Sequence, residues 1–221
     1  MMIDKGKETI LKEDLKERII LTSLKEFRHS GIKSITMDDI AALLKISKRT
    51  LYEIFQDKET LLKECILYHQ RYVQKALTQL ISESSNVLEV ILKCYQGSVE
   101  MYNRVDTRFF EDIKKYPKVH EMIRMNREKD NKIVIEFMRK GVEQGLFRKD
   151  IRFEIVHFLL REQMELLSAK ALTEFTFLEV YESIVFTSLR GISTEKGIHE
   201  LDEFLGKFRA KQLNNTTTFK E

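Results

Sequence analysis

Lys48 and Arg49 open a stretch, Ser47 to Leu62 (SKRTLYEIFQDKETLL), in which a cationic pair precedes two apolar residues at helical spacing, Leu51 and Phe55. Cations carried outward on a short helix can donate to guanine O6 and N7 in a major groove, each good pair being worth about 1–3 kcal/mol of discrimination between bases. At 3.6 residues per turn Leu51 and Phe55 lie within about 40° of each other and form the buried side, while Arg49 and Glu53 point nearly opposite. Tyr52, on the adjacent edge, is placed to reach a phosphate. Lys58 and the N–H groups that begin the following helix make a second anion site. The plain alternative is a solvated Lys–Arg pair on a surface helix.

A second chemistry is suggested by two Glu-x-x-His pairs, Glu26–His29 and Glu154–His157, the spacing that di-metal carboxylate bundles use. With five histidines in the chain, two such pairs are within chance. The second shares a polar stripe with Arg161, a poor neighbour for a metal cation. There is no Walker loop, no GxGxxG and no Ser/His/Asp arrangement, so no catalytic residue, metal ligand or cofactor is assigned and an enzyme is not expected. Cys65 and Cys94 lack a zinc spacing and read as reduced packing residues, which fits a cytoplasmic location.

The elements that must carry these residues are helical. Apolar residues make up 43% of the 221 and charged residues 33%, with one proline and eight glycines, too little punctuation for a strand-rich fold. The net charge of +3 excludes a general polycation, so any nucleic-acid site must be local. The longest apolar runs, such as IVHFLL, fall far short of a bilayer, and no membrane association is expected. Helical periodicity predicts a first helix over 14–30 stopped by Gly31, a second opened by Thr36 with Asp39 three residues on, and a third capped by Ser47 that barely reaches Phe55. Asp57 is the expected cap of a long fourth helix. Further helices are predicted over 87–103, 109–115, 117–143, 152–172, 174–189 and 195–210, before a polar tail.

Two short helices joined by a tight turn and packed on a preceding helix have helix-turn-helix geometry, whose second helix enters the major groove. A third helix this short is not stable alone, so its neighbours must brace it. Residues 18–62 resemble the DNA-binding domain of the TetR/AcrR (tetracycline-repressor-like) transcription regulators. Phe27, Gly31, Thr36, Ile40, Ala41, Ser47, Thr50, Leu51, Tyr52, Phe55, Lys58, Glu59 and Leu61 stand in register with that family's pattern. The resemblance implies that Lys48 and Arg49 approach bases and that Thr36, Thr50, Tyr52 and Lys58 hold phosphates. Three departures stand out: Lys45 occupies the turn position where the family usually has Gly, implying a left-handed lysine at a cost of about 1–2 kcal/mol, with a different turn as the alternative; Arg49 replaces a frequent Gly; and Asp38 and Asp39 take positions near the DNA where a basic residue would be more helpful. Residues 1–63 hold 13 basic and 11 acidic side chains, only +2, so affinity must lean on a few defined contacts.

Beyond this region the wide apolar faces of 153–171 and 177–189 suit a four-helix bundle across a two-fold axis, with Phe177, Val180, Tyr181, Ile184, Val185 and Leu189 as the dimer surface; packing within one chain is the alternative. Family resemblance also implies a small-molecule pocket, for which Met101, Tyr102, Phe109, Met122, Met125, Met138, Phe158 and Met164 are the candidates, so that a largely apolar effector is expected. The expected protein is therefore all-α: an N-terminal three-helix helix-turn-helix DNA-binding domain (1–58), a larger C-terminal helical effector-binding and dimerisation domain (59–212) and a polar tail (213–221). The expected function is a homodimeric, sequence-specific regulator of transcription, a repressor released from a double-stranded DNA operator by a small molecule. A di-metal carboxylate enzyme and a protein-binding helical adaptor are the rival readings.

Overall fold

A computed structural model describes the backbone of residues 2–129, 131–168 and 174–217, with side chains over 11–126, 132–164 and 174–208. Eleven α-helices follow one another among the described residues: α1 (Met2–Ser30), α2 (Met37–Leu44), α3 (Lys48–Ile54), α4 (Lys58–Glu83), α5 (Val87–Arg104), α6 (Thr107–Ile113), α7 (Pro117–Lys129), α8 (Asn131–Glu143), α9 (Phe153–Ser168), α10 (Phe177–Ile192) and α11 (Glu195–Thr217). The all-helical expectation holds; the only ladder pairing among the described residues is an isolated bridge between Phe147 and Ser193. The helix expected over 117–143 is described as α7 and α8, and residue 130 lies outside the described backbone. So do residues 169–173, the end of the expected 152–172 helix, and residues 218–221 of the expected tail.

Two compact units make up the chain. The first comprises residues 1–79 and 100–126. Its core joins Ile19, Ile20, Leu24 and Phe27 of α1 to Ile40 and Ala41 of α2, Leu51 and Phe55 of the α3 segment, and Leu61, Leu62 and Cys65 of α4. Val105, Phe109 and Val119 enter the same core, so α6 and the start of α7 pack with the helix-turn-helix segment. Cys65 is wholly buried, and that burial pushes its thiol up to about 12, which keeps it an inert packing group.

The second unit comprises residues 80–99 and 127–221. Its core is built by Leu88, Leu92, Tyr95 and Val99 of α5, Leu146, Phe147 and Phe153, Phe186, Leu189 and Ile192 of α10, and Leu201 and Leu205 of α11. Tyr95 sits among aromatic rings, 4.8 Å edge-on to Phe186 and 5.7 Å from both Tyr181 and Phe208. Gly141 is required here by space, since a Cβ at that position would run into the Phe147 ring. Gly206, in α11, has open space around it.

These two glycines give a paired expectation. Gly141→Ala should destabilise the protein, because overpacking costs about 1–3 kcal/mol against a helix-propensity gain of at most about 1 kcal/mol. Gly206→Ala should be neutral or slightly stabilising. Thermal melts of the two variants check this, and equal shifts would contradict the packing described.

Candidate nucleic-acid interface

The third helix has seven residues and cannot stand by itself. What holds it is its back: Leu51 is 0% and Phe55 1% exposed, both in the first unit's core. Ser47 caps its start, with the Ser47 Oγ accepting from the Thr50 N–H at 3.0 Å and lying 2.8 Å from the Thr50 hydroxyl. The Phe55 N–H donates to the Leu51 carbonyl at 2.9 Å and closes the other end.

Ahead of it, α2 begins with a complete capping box. The Asp39 N–H donates to Thr36 Oγ1 (3.1 Å), while the Thr36 N–H and hydroxyl donate to Asp39 Oδ2 at 2.8 and 2.6 Å. Those Thr36 bonds hold the Asp39 carboxyl below the usual carboxylate range. The turn between α2 and α3 passes through Lys45 at φ 56° and ψ 41°, the left-handed lysine expected from the sequence. Its N–H bonds to the Ala42 carbonyl (3.1 Å), and the Ile46 N–H bonds to that of Ala41 (3.0 Å). A non-glycine residue there costs about 1–2 kcal/mol.

At the connection between α1 and α2, α6 grips the end of α1. The Asp106 N–H donates to the Arg28 carbonyl at 2.8 Å, and the Lys33 N–H donates to Asp112 Oδ2 at 2.7 Å. Gly31 adopts φ 80°, and a Cβ on it would lie 2.9 Å from the Arg108 Cβ, so both the backbone angle and the close approach of α6 call for glycine. Burial pushes the Asp112 carboxyl up, but its bonds from Lys115 Nζ and the Lys33 N–H outweigh that and leave it below the usual range.

The outward face of α3 carries the two predicted base-contacting cations, and both are strongly exposed, Lys48 at 66% and Arg49 at 89%. Each already has an anionic neighbour. Lys48 Nζ donates to Asp38 Oδ2 at 2.5 Å, and Arg49 Nε donates to Glu53 Oε1 at 2.9 Å, one turn along the same helix. The bond to Asp38 raises the Lys48 amine above its ordinary range. Exposed pairs of this kind are worth only about 0–1 kcal/mol. They can therefore open when a better partner arrives.

The other phosphate candidates are placed differently. Tyr52 is exposed beside the cations. Thr50 shares its hydroxyl with Ser47, and that of Thr36 is committed to Asp39. Lys58, at the start of α4, is half-buried with its amine 5.8 Å from the Phe27 ring centre; burial lowers it, partly offset by Asp112 and Asp39. Asp57 caps α4 as expected, Oδ1 accepting from the Thr60 N–H at 2.7 Å.

The geometry of residues 36–58 is that of a braced helix-turn-helix, and the comparisons agree. The family described as bacterial regulatory proteins of the tetR family matches residues 19–65. Residues 19–65 are thus a TetR-family DNA-binding segment. Among the chain's relatives, the HTH-type transcriptional repressor KstR2 of Mycolicibacterium smegmatis is 23% identical over 142 residues, covering 62% of this chain and 69% of that one. KstR2 of Mycobacterium tuberculosis is 21% identical over 62% of this chain and 70% of its own. A transcriptional regulator from Saccharomonospora viridis, solved with choline, has the same fold at TM-score 0.65 and 15% identity, covering 83% of this chain and all of that one. One from Cytophaga hutchinsonii gives 0.64 at 21% identity, over 80% and 98% of the two chains. The matched family and the KstR2 relatives are regulators of transcription, which supports the DNA-binding reading over the di-metal one. Glu154 of that reading is in any case paired with Arg139 Nη2 at 2.8 Å.

The candidate pocket residues are distributed over both units. Met101, Tyr102, Phe109, Met122 and Met125 belong to the first; Met138, Phe158 and Met164 belong to the second. Phe109 and Met138 are buried in their respective cores, and Met122 packs against the first. Tyr102 stacks on Phe110 at 6.0 Å. Met101, Met125 and Phe158 are exposed, the last beneath the Arg161 guanidinium. Of the candidate dimer residues, Leu189 is buried in the second core, Tyr181 and Val185 pack on it, and Phe177 stacks on Tyr181. Val180 and Ile184 are half-buried. Sequence reasoning passed over Ile155 and Leu159, which are exposed on α9 in the same arc as Phe158; their i, i+4 spacing was the available signal.

The left-handed turn yields a test of its own. Lys45→Gly relieves the strain of about 1–2 kcal/mol and loses about 0.4–1 kcal/mol to the freer unfolded chain. A net gain of up to about 1.6 kcal/mol is expected in chemical denaturation, and a loss would contradict the turn geometry.

Proposed function

We propose that this chain is a homodimeric transcriptional repressor of the cytoplasm that reads a two-fold-related operator with Lys48 and Arg49 and leaves it when a small, largely apolar effector binds. The observation that carries the reading is the division of α3 into a buried back, Leu51 and Phe55, and a strongly exposed cationic front. A helix held so firmly from behind presents its front without spending ordering entropy on contact. Tyr52 and Thr50 are the phosphate contacts nearest the bases, with Thr36 and Lys58 at the helix starts on either side. Repression is supported by the names of the KstR2 relatives.

One helix-turn-helix covers a half-site, and a second copy supplies the other. The surface proposed for that copy combines Ile155, Phe158 and Leu159 of α9 with Val180 and Ile184 of α10. These two helices pack side by side, and the α9 residues are each close to half exposed or more. Phe158 is thereby assigned to the dimer and not to a pocket, because it lies on the side of α9 away from buried Phe153. The effector reading rests on the Met and aromatic content around Met101, Tyr102, Phe109, Met122 and Met125, and the solved M. tuberculosis relative, 19% identical with a TM-score of 0.50 over 81% of this chain and 95% of that one, is described as a ketosteroid regulator. The α6 contacts with Arg28 and Lys33 offer the route by which movement of α6 would shift the helix-turn-helix. No helix among the described residues is long and apolar enough to cross a membrane.

Two experiments check these assignments. Lys48→Ala combined with Arg49→Ala should lower affinity for a selected operator at least about 30-fold, from two lost base contacts of about 1–3 kcal/mol each, while thermal stability and dimerisation stay unchanged; unchanged operator affinity would leave the protein-adaptor reading in its place. Leu159→Glu should give a monomer by sedimentation that remains folded. A dimer that persists with the buried glutamate would move the interface elsewhere.

A further inference from the structure

Both exposed cations of the recognition helix are tied to carboxylates of the same chain, Lys48 to Asp38 and Arg49 to Glu53. Together these four groups carry no net charge. A surface meant only to cling to phosphate would not be arranged so, because the sequence-independent part of DNA affinity comes from neutralising phosphates with free cations. Resting on the DNA-binding reading above, we propose that Asp38 and Glu53 are specificity-determining residues that withhold Lys48 and Arg49 from random DNA and release them only where base amino groups can take the cations' place.

Hydrogen-bond chemistry explains the selectivity. When Arg49 turns from Glu53 to a phosphate, the phosphate offers only acceptor oxygens, and the Glu53 carboxylate is left beside like charge without a donor. When Arg49 turns to guanine O6 and N7 in the major groove, the neighbouring base edges include amino donors, N4 of cytosine and N6 of adenine, and a carboxylate pairs best with cytosine N4. Arg49 and Glu53 are one turn apart, a rise of about 6 Å along the helix, which spans one to two base-pair steps of about 3.4 Å. Glu53 therefore takes a cytosine amino group one or two steps from the guanine read by Arg49. Asp38, reaching across from α2, does the same for Lys48. The weakness of both pairs matters, since a buried, tightly held ion pair would block the specific complex as well.

The test uses the full-length protein and compares wild type, Glu53→Gln and Asp38→Asn. Sites are first selected by wild type from random duplex DNA. Affinity for the selected duplex and for a scrambled duplex of equal length is then measured across a salt series. Both variants should bind scrambled DNA several-fold more tightly, with the salt slope steeper by about 0.9 as a freed cation takes a phosphate. Glu53→Gln should bind the selected duplex about tenfold or more weakly, and reselection with it should lose one cytosine preference. The ratio of selected to scrambled affinity thus falls for each variant. Equal changes for both duplexes, or no change in either, overturn the proposal while leaving wild-type recognition standing. Failure of wild type to select any sequence overturns the DNA-binding reading and this inference with it. Both side chains are exposed, so melting curves should match wild type and keep the comparison free of folding effects.

Discussion

Burial of Leu51 and Phe55 is the interaction on which the rest depends. Seven helical residues lie far below the length at which a helix persists in water. Their geometry is borrowed from α1, α2 and α4, whose apolar side chains close around those two residues. The borrowed rigidity fixes the opposite face, so that Lys48, Arg49 and Glu53 stand at defined places before any DNA arrives. The first unit recruits Val105, Phe109 and Val119 to the same core, and Asp106 and Asp112 of the α6 segment bond to backbone groups at the end of α1. The α6 segment is therefore tied directly to the scaffold that positions the recognition helix.

Charge is used sparingly on that face. Asp39 is spent on the cap of α2 and Asp57 on that of α4, while Asp38 and Glu53 are set against the two exposed cations. The acidic residues around the recognition helix thus divide into two groups, one holding helix starts and one holding cations. Neither group adds long-range attraction, in keeping with a chain whose net charge is only +3. Affinity must come from close fit.

Local signals with a one-to-one physical meaning were legible in the sequence. The Thr36–Asp39 box, the Ser47 cap, the Gly31 stop and the left-handed Lys45 each depend on residues within three or four positions, and each is present. What was not legible depends on partners distant in the chain. The grip of Asp112 on Lys33 joins positions 79 residues apart, and no periodicity announces it. The Lys48–Asp38 pair required knowing how α2 and α3 cross. Helical faces showed the same limit: periodicity identified α10 as broadly apolar but could not say that Leu189 faces its own core while Val180 and Ile184 stay half-buried, because that choice is made by α5 and α11.

Selection of binding sites from random duplex DNA by the intact protein is the most direct measurement. A front of two cations on a rigid helix, doubled by a two-fold axis, should enrich an inverted repeat whose half-sites each contain guanine and whose centres lie one helical turn, about 10 base pairs, or a multiple of it apart. Enrichment of nothing, or of sequences without any repeated half-site, would contradict the picture of a braced recognition helix presented in two copies.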